Sequence, residues 1–452
     1  MTVFEFDDIC VGHGEKQLIE SDFKLLKNFI LPKIGVDDEK RADDDVVTDA
    51  SVCMTLWSKG GKEVIRVKNY VGVISLKSGT IIEVLPKISN ISTNNEKCFA
   101  RRLVIEMLKA CGKIPYKSFQ KAKLSYEKMN LYEIFIRLFL DKLNELYKKG
   151  LWAGYVPFED NENFLKGKLI FNEHIKRNFA HKEKFYVGYE VFSFDRVENR
   201  LIKSTLQYLK SKSNDESNKR DIRRMLLIFE DITPSQNYDS DFARCGSDRT
   251  VKDYADILLL CKIFLHKMSF TMYSGKTDAT ALMFPMEKLY EKYIAHEMQE
   301  AMESGWYLQA QSREKYLFNK RQFLLQPDMI LKKGNEIVIV DTKWKKLDKK
   351  KPNFGISQSD MYQMYAYHTR FENCNRVVLL YPYCKEVAGV SATELIYTTT
   401  ISANEGNSCR EVIKKEVRIY IAFFNLEFYL SDKKFRECLY PNNDWTNLLK
   451  LK

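Results

Sequence analysis

The amino-acid sequence predicts a multidomain protein that combines the α/β and α+β classes. Its 452 residues are enough for two to four domains, each with its own core. Short apolar runs that end at glycine or proline mark the first part, helical periodicity marks the middle, and alternating helices and apolar strands mark the last part. We therefore predict a β-rich region over residues 1–115, a mainly helical region over 116–275 and a mixed-sheet domain over 276–452.

The β-rich region carries one clear hairpin signal. Two apolar runs, Val71–Leu76 and Thr80–Leu85, flank a short turn that ends at Gly79. Such a hairpin could project and reach a partner, but a hairpin buried in its own domain has the same pattern, and we favour the buried arrangement for these strands. From Glu96 to Cys111 the periodicity becomes helical.

The middle region predicts helices separated by loops. Leu131–Leu151 has its apolar residues on one side of a helix, with Gly150 as a stop signal. We also predict helices at Asn199–Leu209 and Thr250–Met268. The polar stretch Ser211–Arg224 reads as an exposed loop that leads into a helix.

The last part predicts the order helix, three strands, helix, strand, which is typical of an α/β core with a mixed sheet. The predicted elements are Met286–Met302, Trp306–Ala310, Gln322–Leu331, Glu336–Trp344, Gln358–Phe371 and Arg376–Tyr381.

Composition excludes several classes of protein. With 45% hydrophobic and 29% charged residues, the chain is neither disordered nor fibrous. Its apolar stretches are shorter than the roughly 20 residues of a membrane span, and its acidic start does not resemble a signal peptide. The ten cysteines show no zinc-site spacing and predict reduced thiols in the cytoplasm. The net charge of +11 is compatible with a polyanionic partner and equally with a solvated basic surface.

The candidate site lies in residues 326–346, where two strand-like runs are joined by Lys-Lys-Gly-Asn-Glu. With a turn centred on Gly334 and Asn335, the antiparallel register places Asp328 opposite Asp341. Side chains so opposed have Cβ atoms roughly 4.5–5.5 Å apart, so the two carboxylates repel unless a positive charge is near.

Lys343 lies two residues beyond Asp341 and projects from the same face. Two carboxylates and one ammonium suit metal-assisted phosphodiester hydrolysis, with Mg²⁺ (or Mn²⁺) bound by Asp328 and Asp341 and with Lys343 orienting water and offsetting charge. The residue types fit equally well a structural Asp–Lys pair on a solvated sheet face.

Each of three neighbouring features can be interpreted either as part of a nuclease site or as an ordinary structural element. Gln363 and Tyr367 are four apart on a predicted helix and share a face, where the glutamine could hold a nucleic-acid backbone or where the helix simply packs. Glu287 and Glu291 lie one turn apart, and either could supply a third oxygen ligand or be exposed. The lysines that follow the site could contact phosphates or form a solvated loop. Those taken as candidate DNA contacts are Lys345, Lys346, Lys349 and Lys350.

Together these motifs resemble the PD-(D/E)xK nuclease superfamily. Pro327-Asp328 and Asp341-Thr342-Lys343 carry the resemblance, and Gln363 with Tyr367 resembles its RecB-type branch. Longer strings between about residues 64 and 383 are similar to the McrC family, the nuclease subunits of the 5-methylcytosine restriction system McrBC. They are NYVGVISLKSGTIIEVLPKI, LKGKLIFNEHIKRNF, FSFDRVENRLIK, MEKLYEKYI and DMYQMYAYH.

The resemblance implies a C-terminal PD-(D/E)xK core that cleaves DNA and an N-terminal region that docks on and stimulates an AAA+ GTPase ring resembling McrB. It implies that Asp328, Asp341 and Glu291 hold the metal, that Lys343 is the catalytic lysine, and that Gln363 and Tyr367 form the helix motif. The implied substrate is methylated double-stranded DNA.

No GxxxxGK[ST] phosphate loop occurs in the sequence, so we expect the partner, and not this chain, to bind and hydrolyse GTP. Two alternatives stay open: a stand-alone PD-(D/E)xK nuclease, and a non-catalytic subunit that binds nucleic acid or activates a partner.

Overall fold

The computed structural model describes residues 1–31, 53–87, 96–111, 129–245, 252–265, 279–318, 320–403, 413–432 and 435–441. Within these ranges the chain forms twenty strands and eleven α-helices. The strands are β1 (Thr2–Phe4), β2 (Asp8–Val11), β3 (Gln17–Leu18), β4 (Met54–Lys59), β5 (Lys62–Val67), β6 (Tyr70–Leu76), β7 (Ile81–Leu85), β8 (Gly154–Glu162), β9 (Lys168–Leu169), β10 (Phe185–Ser193), β11 (Ala279–Pro285), β12 (Tyr307–Ala310), β13 (Lys315–Phe318), β14 (Gln322–Leu325), β15 (Met329–Lys333), β16 (Glu336–Thr342), β17 (Cys374–Pro382), β18 (Ile396–Ala403), β19 (Ile413–Phe424) and β20 (Leu439–Tyr440). The helices are α1 (Glu20–Ile30), α2 (Glu96–Ala110), α3 (Leu131–Lys149), α4 (Phe171–Asn178), α5 (Val197–Lys210), α6 (Glu216–Ile228), α7 (Tyr238–Arg244), α8 (Lys252–Leu265), α9 (Met286–Ala301), α10 (Gln358–Arg370) and α11 (Leu426–Asp432).

The first region contains two sheets, of strand orders β1-β7-β6-β11 and β3-β2-β5-β4. The predicted hairpin forms as β6 and β7, but it does not project. All seven residues of β6 are buried, because β6 lies between β7 and β11. The structure thus confirms the buried arrangement for these strands, in which the turn around Lys77 and Ser78 is exposed.

The predicted boundary at residue 276 needs correction. β11 pairs antiparallel with β6, from Ala279 opposite Leu76 to Pro285 opposite Tyr70. β11 thus completes the first sheet, and the chain passes from it directly into α9 at Met286. In space the last unit begins at α9.

The middle region has the predicted helical core, in which α3 and α5 both pack against α8. The predicted loop Ser211–Arg224 is wrong in its extent, because α6 already begins at Glu216 and only residues 211–215 connect it to α5. The region also holds a three-stranded sheet, of order β8-β10-β9, that the sequence did not predict. β8 and β10 pair antiparallel over their full length, from Gly154 opposite Ser193 to Glu162 opposite Phe185. Exposed apolar side chains on both faces of this hairpin hide the alternation that marks a half-buried strand.

The last unit is built on a mixed sheet of order β12-β15-β16-β17-β19-β18, with β20 beside β19. β15 and β16 are antiparallel, whereas β16, β17 and β19 run parallel. α9 packs on β16 and α10 packs on β17 and β19. The chain after residue 385, where the sequence shows no motif, supplies β18, β19, α11 and β20.

One predicted strand of the last unit is wrong in its extent. The run Gln322–Leu331 forms two strands, because β14 ends at Leu325 and pairs with β13, while β15 begins at Met329. Pro327 lies between them and has no N–H for a ladder bond. The break leaves Asp328 at the entrance to β15.

None of the helices that the structure describes is long and apolar enough to cross a membrane. Among the same residues the cysteines form no disulfide bond.

Candidate active site

The hairpin of β15 and β16 positions the candidate site. Its register runs from Lys333 opposite Glu336 to Met329 opposite Val340, so the next position places Asp328 opposite Asp341. The predicted register is confirmed. It follows from a two-residue turn in which Gly334 adopts a positive φ of 57°.

Asp328 is fixed by the end of the partner strand. The backbone N–H and the hydroxyl of Thr342 both donate to Asp328 Oδ2, each at 2.7 Å. One oxygen of the carboxylate is thereby held in a defined orientation. Thr342 is the central residue of the Asp-Thr-Lys triplet, and its role in holding the other aspartate was not visible in the sequence.

Asp341 and Lys343 form an ion pair at the same end of the hairpin. Asp341 is 1% exposed, and its Oδ2 accepts a hydrogen bond from Lys343 Nζ at 2.5 Å. Its other oxygen, Oδ1, is buried without a hydrogen-bond partner among the described residues. A buried carboxylate oxygen without a donor is costly, so this atom needs a functional explanation.

Glu291 on α9 is the third carboxylate of the site. Its Oε1 accepts from Gln311 Nε2 at 2.8 Å, and the backbone N–H of Gln311 donates to the carbonyl of Asp328 at 2.8 Å. Gln311 therefore joins two carboxylate residues, and no sequence signal pointed to it. Glu287, the other candidate on α9, instead accepts from Asn69 of the first region at 2.9 Å.

The three carboxylates perturb one another electrostatically. Burial and the charge of Asp328 raise the pKa of Asp341 to about 7, although Lys343 opposes the shift. Burial and the charge of Asp328 also raise the pKa of Glu291 to about 7, against the hydrogen bond from Gln311. Burial raises the pKa of Asp328 itself. Such raised values indicate that burial and mutual repulsion of the three acids outweigh the stabilisation by the nearby ammonium groups.

Burial and the charges of the neighbouring carboxylates also shift the pKa of Lys343. Burial by itself would lower the pKa of this ammonium, but the charges of Asp341 and Asp328 raise it above the ordinary value. Lys343 therefore remains protonated at neutral pH and acts in the site as a fixed cation.

Gln363 and Tyr367 lie on α10 and are linked by hydrogen bonds to the segment just before Asp328. Gln363 Nε2 donates to the Tyr367 hydroxyl at 2.7 Å, and this hydroxyl donates to the carbonyl of Gln326 at 2.9 Å. Tyr367 is 2% exposed. The chain of hydrogen bonds fixes the Gln-Pro-Asp turn, and in this arrangement Gln363 holds the tyrosine.

The four candidate lysines after the site differ in their hydrogen bonds. Lys345 donates to the carbonyl of Gly355 at 2.7 Å, and Lys349 donates to the carbonyl of Ala388 at 3.1 Å, so both brace the loop. Lys346 and Lys350 are exposed, as are Lys345 and Lys349. Although the residue as a whole is exposed, partial desolvation of its ammonium lowers the pKa of Lys346.

The donor chemistry of the site suits a hard cation, but its present arrangement is not a coordination shell. Among the described residues no group of three or more His, Cys, Asp or Glu side chains is arranged to hold a metal ion. Each of the three carboxylates has one oxygen that already accepts a hydrogen bond, from Thr342, Lys343 or Gln311. What fits Mg²⁺ is the set of mutually repelling hard oxygens and the unpaired Oδ1 of Asp341.

Comparison with known proteins adds a family and a fold. A family model described as "McrBC 5-methylcytosine restriction system component" matches residues 65–382, more than half of the chain. A solved chain from the refined half-complex of a tetradecameric assembly of Thermococcus gammatolerans McrB AAA+ hexamers with bound McrC is similar in structure. Its TM-score is 0.64 at 19% identity, and the match covers 94% of this chain and 95% of that one. A chain of the cryo-EM structure of the T. gammatolerans McrBC complex is similar at a TM-score of 0.46 and 20% identity, covering 66% and 86% of the two chains. No curated protein matches the sequence.

The raised pKa values predict how stability depends on pH. Unfolded Asp and Glu ionise near pH 4, whereas folded Asp341 and Glu291 ionise near pH 7. Between these values the unfolded chain binds fewer protons, so we expect the free energy of unfolding to fall as pH rises. Asp341→Asn should reduce this fall, as measured by urea unfolding between pH 4.5 and 7.5.

The matched control for this experiment is Glu394→Gln, at an exposed carboxylate far along the chain. It should retain the pH dependence of the wild type. An Asp341→Asn protein with the same slope as this control would contradict the electrostatic description of the site.

Proposed function

The chain belongs to the McrBC 5-methylcytosine restriction system component family, and on this premise we propose that it is the DNA-cleaving, McrC-like subunit of such a system. The observation that carries the proposal is the group of three mutually repelling carboxylates, of which Asp341 is buried and Asp328 and Glu291 are partly buried, with one ion-paired lysine. Such clusters of perturbed acids are typical of catalytic sites. The proposed reaction is hydrolysis of DNA phosphodiester bonds.

The C-terminal sheet supports a PD-(D/E)xK core. An antiparallel hairpin, β15 and β16, carries both aspartates and the lysine, and parallel strands β17 and β19 follow it. α9 bears Glu291, and α10 bears Gln363 and Tyr367, whose hydroxyl donates to the carbonyl of Gln326 just before Asp328. The motif residues thus come from three elements and meet at one end of one hairpin.

Each residue has a distinct task in the proposed reaction. Asp328, Asp341 and Glu291 would hold Mg²⁺ or Mn²⁺, which when bound supplies Lewis-acid chemistry at the scissile phosphate. Lys343 contributes a fixed positive charge that offsets charge developing on the phosphate. Asp341 keeps this ammonium in position through their ion pair.

Supporting residues keep that geometry. Thr342 and Gln311 hold the carboxylates of Asp328 and Glu291, and Tyr367 anchors the turn before Asp328. The exposed lysines Lys346 and Lys350 are available for contacts with DNA phosphates, while Lys345 and Lys349 combine that task with bracing their loop.

The proposed partner is an AAA+ ring resembling McrB that uses GTP, and the proposed substrate is methylated double-stranded DNA. The similar solved chain comes from an assembly of McrB AAA+ hexamers with bound McrC. The present chain has no phosphate loop of its own, so the energy for movement on DNA has to come from a partner.

An exposed arm is the best docking surface for that partner. The arm consists of β8, β9, β10 and α4, and its nine-residue strands extend roughly 30 Å. On α4 and the residue after it, Phe171, Ile175 and Phe179 recur every four residues, so they share one helix face, and they are 67%, 64% and 85% exposed. A continuous apolar face in water is a feature of interaction sites. We therefore assign ring docking to the arm in place of the buried hairpin of β6 and β7.

One observation favours a second candidate, a subunit that binds DNA without cutting it. No ready-made metal cluster exists among the described carboxylates, as noted above. The two candidates differ in what the intact site does in the presence of Mg²⁺, which the next experiments measure.

The first test is cleavage by site variants of the complex with its ring partner and Mg²⁺. Lys343→Met should lower the cleavage rate by about 10²–10³-fold, because it removes a fixed charge from the transition state. Asp341→Asn should abolish cleavage while folding and partner binding persist.

The matched control is Lys333→Met at the exposed turn of the same hairpin, which should cleave like the wild type. Cleavage at the wild-type rate by a folded Asp341→Asn protein would refute the proposed nuclease function.

The second test concerns the metal. Cleavage should require Mg²⁺ or Mn²⁺, stop with EDTA and be poorly supported by Ca²⁺, whose coordination geometry is looser. Mg²⁺ should also raise the melting temperature of the wild type, by relieving repulsion among the carboxylates, and should not raise that of Asp341→Asn. Cleavage in EDTA, or an equal thermal shift in both proteins, would contradict the assignment.

The third test concerns the arm. Replacing Phe171, Ile175 and Phe179 together by serine should raise the concentration of chain needed for half-maximal stimulation of the partner's GTPase by about tenfold or more. The control Leu227→Ser changes a side chain on α6 that is 72% exposed and lies outside the arm. Equal stimulation by the triple variant and the control would exclude the arm as the docking surface.

A further inference from the structure

A buried carboxylate of the first region lies against the residue that follows the catalytic lysine. Glu5 is 1% exposed, and its Oε2 accepts from Trp344 Nε1 and from the backbone N–H of Lys87, each at 3.1 Å. Its Oε1 is buried without a hydrogen-bond partner among the described residues. Glu5 follows β1, so this contact joins the first sheet to the end of the hairpin that carries the site.

Trp344 lies behind two of the site residues. In sequence it is next to Lys343, and its ring packs on Tyr290 with ring centroids 5.3 Å apart. Tyr290 in turn precedes Glu291 on α9. One indole therefore supports both the lysine and the third carboxylate.

A second contact ties the same helix to the same region. The backbone N–H of Met286 donates to the carbonyl of Asn69, and the Asn69 side chain donates to Glu287 at 2.9 Å. The start of α9 is thus held by the segment before β6. The placement of Glu291 depends on the first region at two points, the helix start and the Tyr290–Trp344 contact.

We propose that Glu5 is a positioning residue for DNA cleavage: by fixing the Trp344 indole, it sets the relative placement of Lys343 and Glu291 and so makes the site dependent on the first region. The proposal rests on the proposed nuclease function. Trp344 donates its hydrogen bond to Glu5 and not to the carboxylates of the site. Glu5 therefore acts on Lys343 and Glu291 through the packing of the indole ring and the placement of the backbone.

What the contact requires at position 5 is a hydrogen-bond acceptor rather than a charge. Burial of an acid is costly, and a glutamine could accept from the same two donors without a charge. The charged groups that face Glu5 are Lys346, which favours its ionised form, and Glu287, which opposes it. Burial dominates and raises the pKa of Glu5 to about 8. The contact can therefore be followed by its titration.

The experiment compares two indole–carboxylate pairs of the same chain. Trp344→Phe keeps the ring against Tyr290 but removes the N–H that Glu5 accepts. In the complex with the ring partner, we expect its kcat for cleavage to fall about tenfold with KM within about twofold, and stimulation of the partner's GTPase to stay unchanged. Glu5→Ala should behave alike, and Glu5→Gln should recover most of the rate.

The control pair lies in the other sheet of the first region. Trp57 Nε1 donates to Asp8 Oδ1 at 3.3 Å, away from the site, so Trp57→Phe should leave cleavage unchanged. A kcat for Trp344→Phe equal to that of Trp57→Phe would overturn the proposal. So would a parallel loss of melting temperature and GTPase stimulation in Glu5→Ala, since that pattern indicates a structural role alone.

A second readout does not depend on cleavage. Tryptophan emission of the wild type should change with a midpoint near pH 8, and Trp344→Phe and Glu5→Gln should each remove this component. A transition that persists in Glu5→Gln would overturn the contact between Glu5 and Trp344. If Asp341→Asn cleaved like the wild type, the nuclease assignment would fail, while the emission experiment would still decide on the contact.

Discussion

The ion pair between Lys343 and Asp341 is the interaction on which the arrangement of the site depends. Three carboxylates share a largely buried space, and this single ammonium offsets them. Removal of one partner of a buried pair leaves an uncompensated charge, which is strongly unfavourable. The hairpin fixes the pair because Lys343 follows Asp341 by two residues and therefore projects from the same side of β16. The mixed sheet around β16 then provides the rigid support that a site of this precision requires.

The sequence predicted this hairpin well because each of its signals is local. The turn at Gly334 and Asn335 fixes the register, and the β-branched run that follows can pack only as a buried strand. The two helices that bear Glu291 and Gln363 were also predicted, because their apolar residues recur with helical spacing. The resemblance to the McrC family used the same kind of local information, and the family match agrees with it.

What the sequence could not provide are contacts between residues far apart in the chain. Gln311 and Glu5 bear no motif, and each acquires its role only when folding brings it to Glu291 or Trp344. The misplaced domain boundary has the same origin. β11 pairs with β6, about two hundred residues earlier in the chain, and local periodicity carries no information about such distant pairing. The arm was missed for a different reason: its strands have exposed aromatic side chains on both faces, so they lack the alternation that normally reveals a strand.

The charge balance of the site also bears on when it can act. A DNA phosphate that approaches Asp328, Asp341 and Glu291 meets repulsion, which one lysine only partly offsets. In the proposed reaction, a bound divalent cation would offset this negative charge, favour the substrate and supply Lewis-acid chemistry. The exposed lysines Lys346 and Lys350, which we propose as DNA contacts, add positive charge beside the site but do not cancel the charge at its centre. In the proposed nuclease, this charge balance keeps DNA away from the carboxylates until a cation is bound.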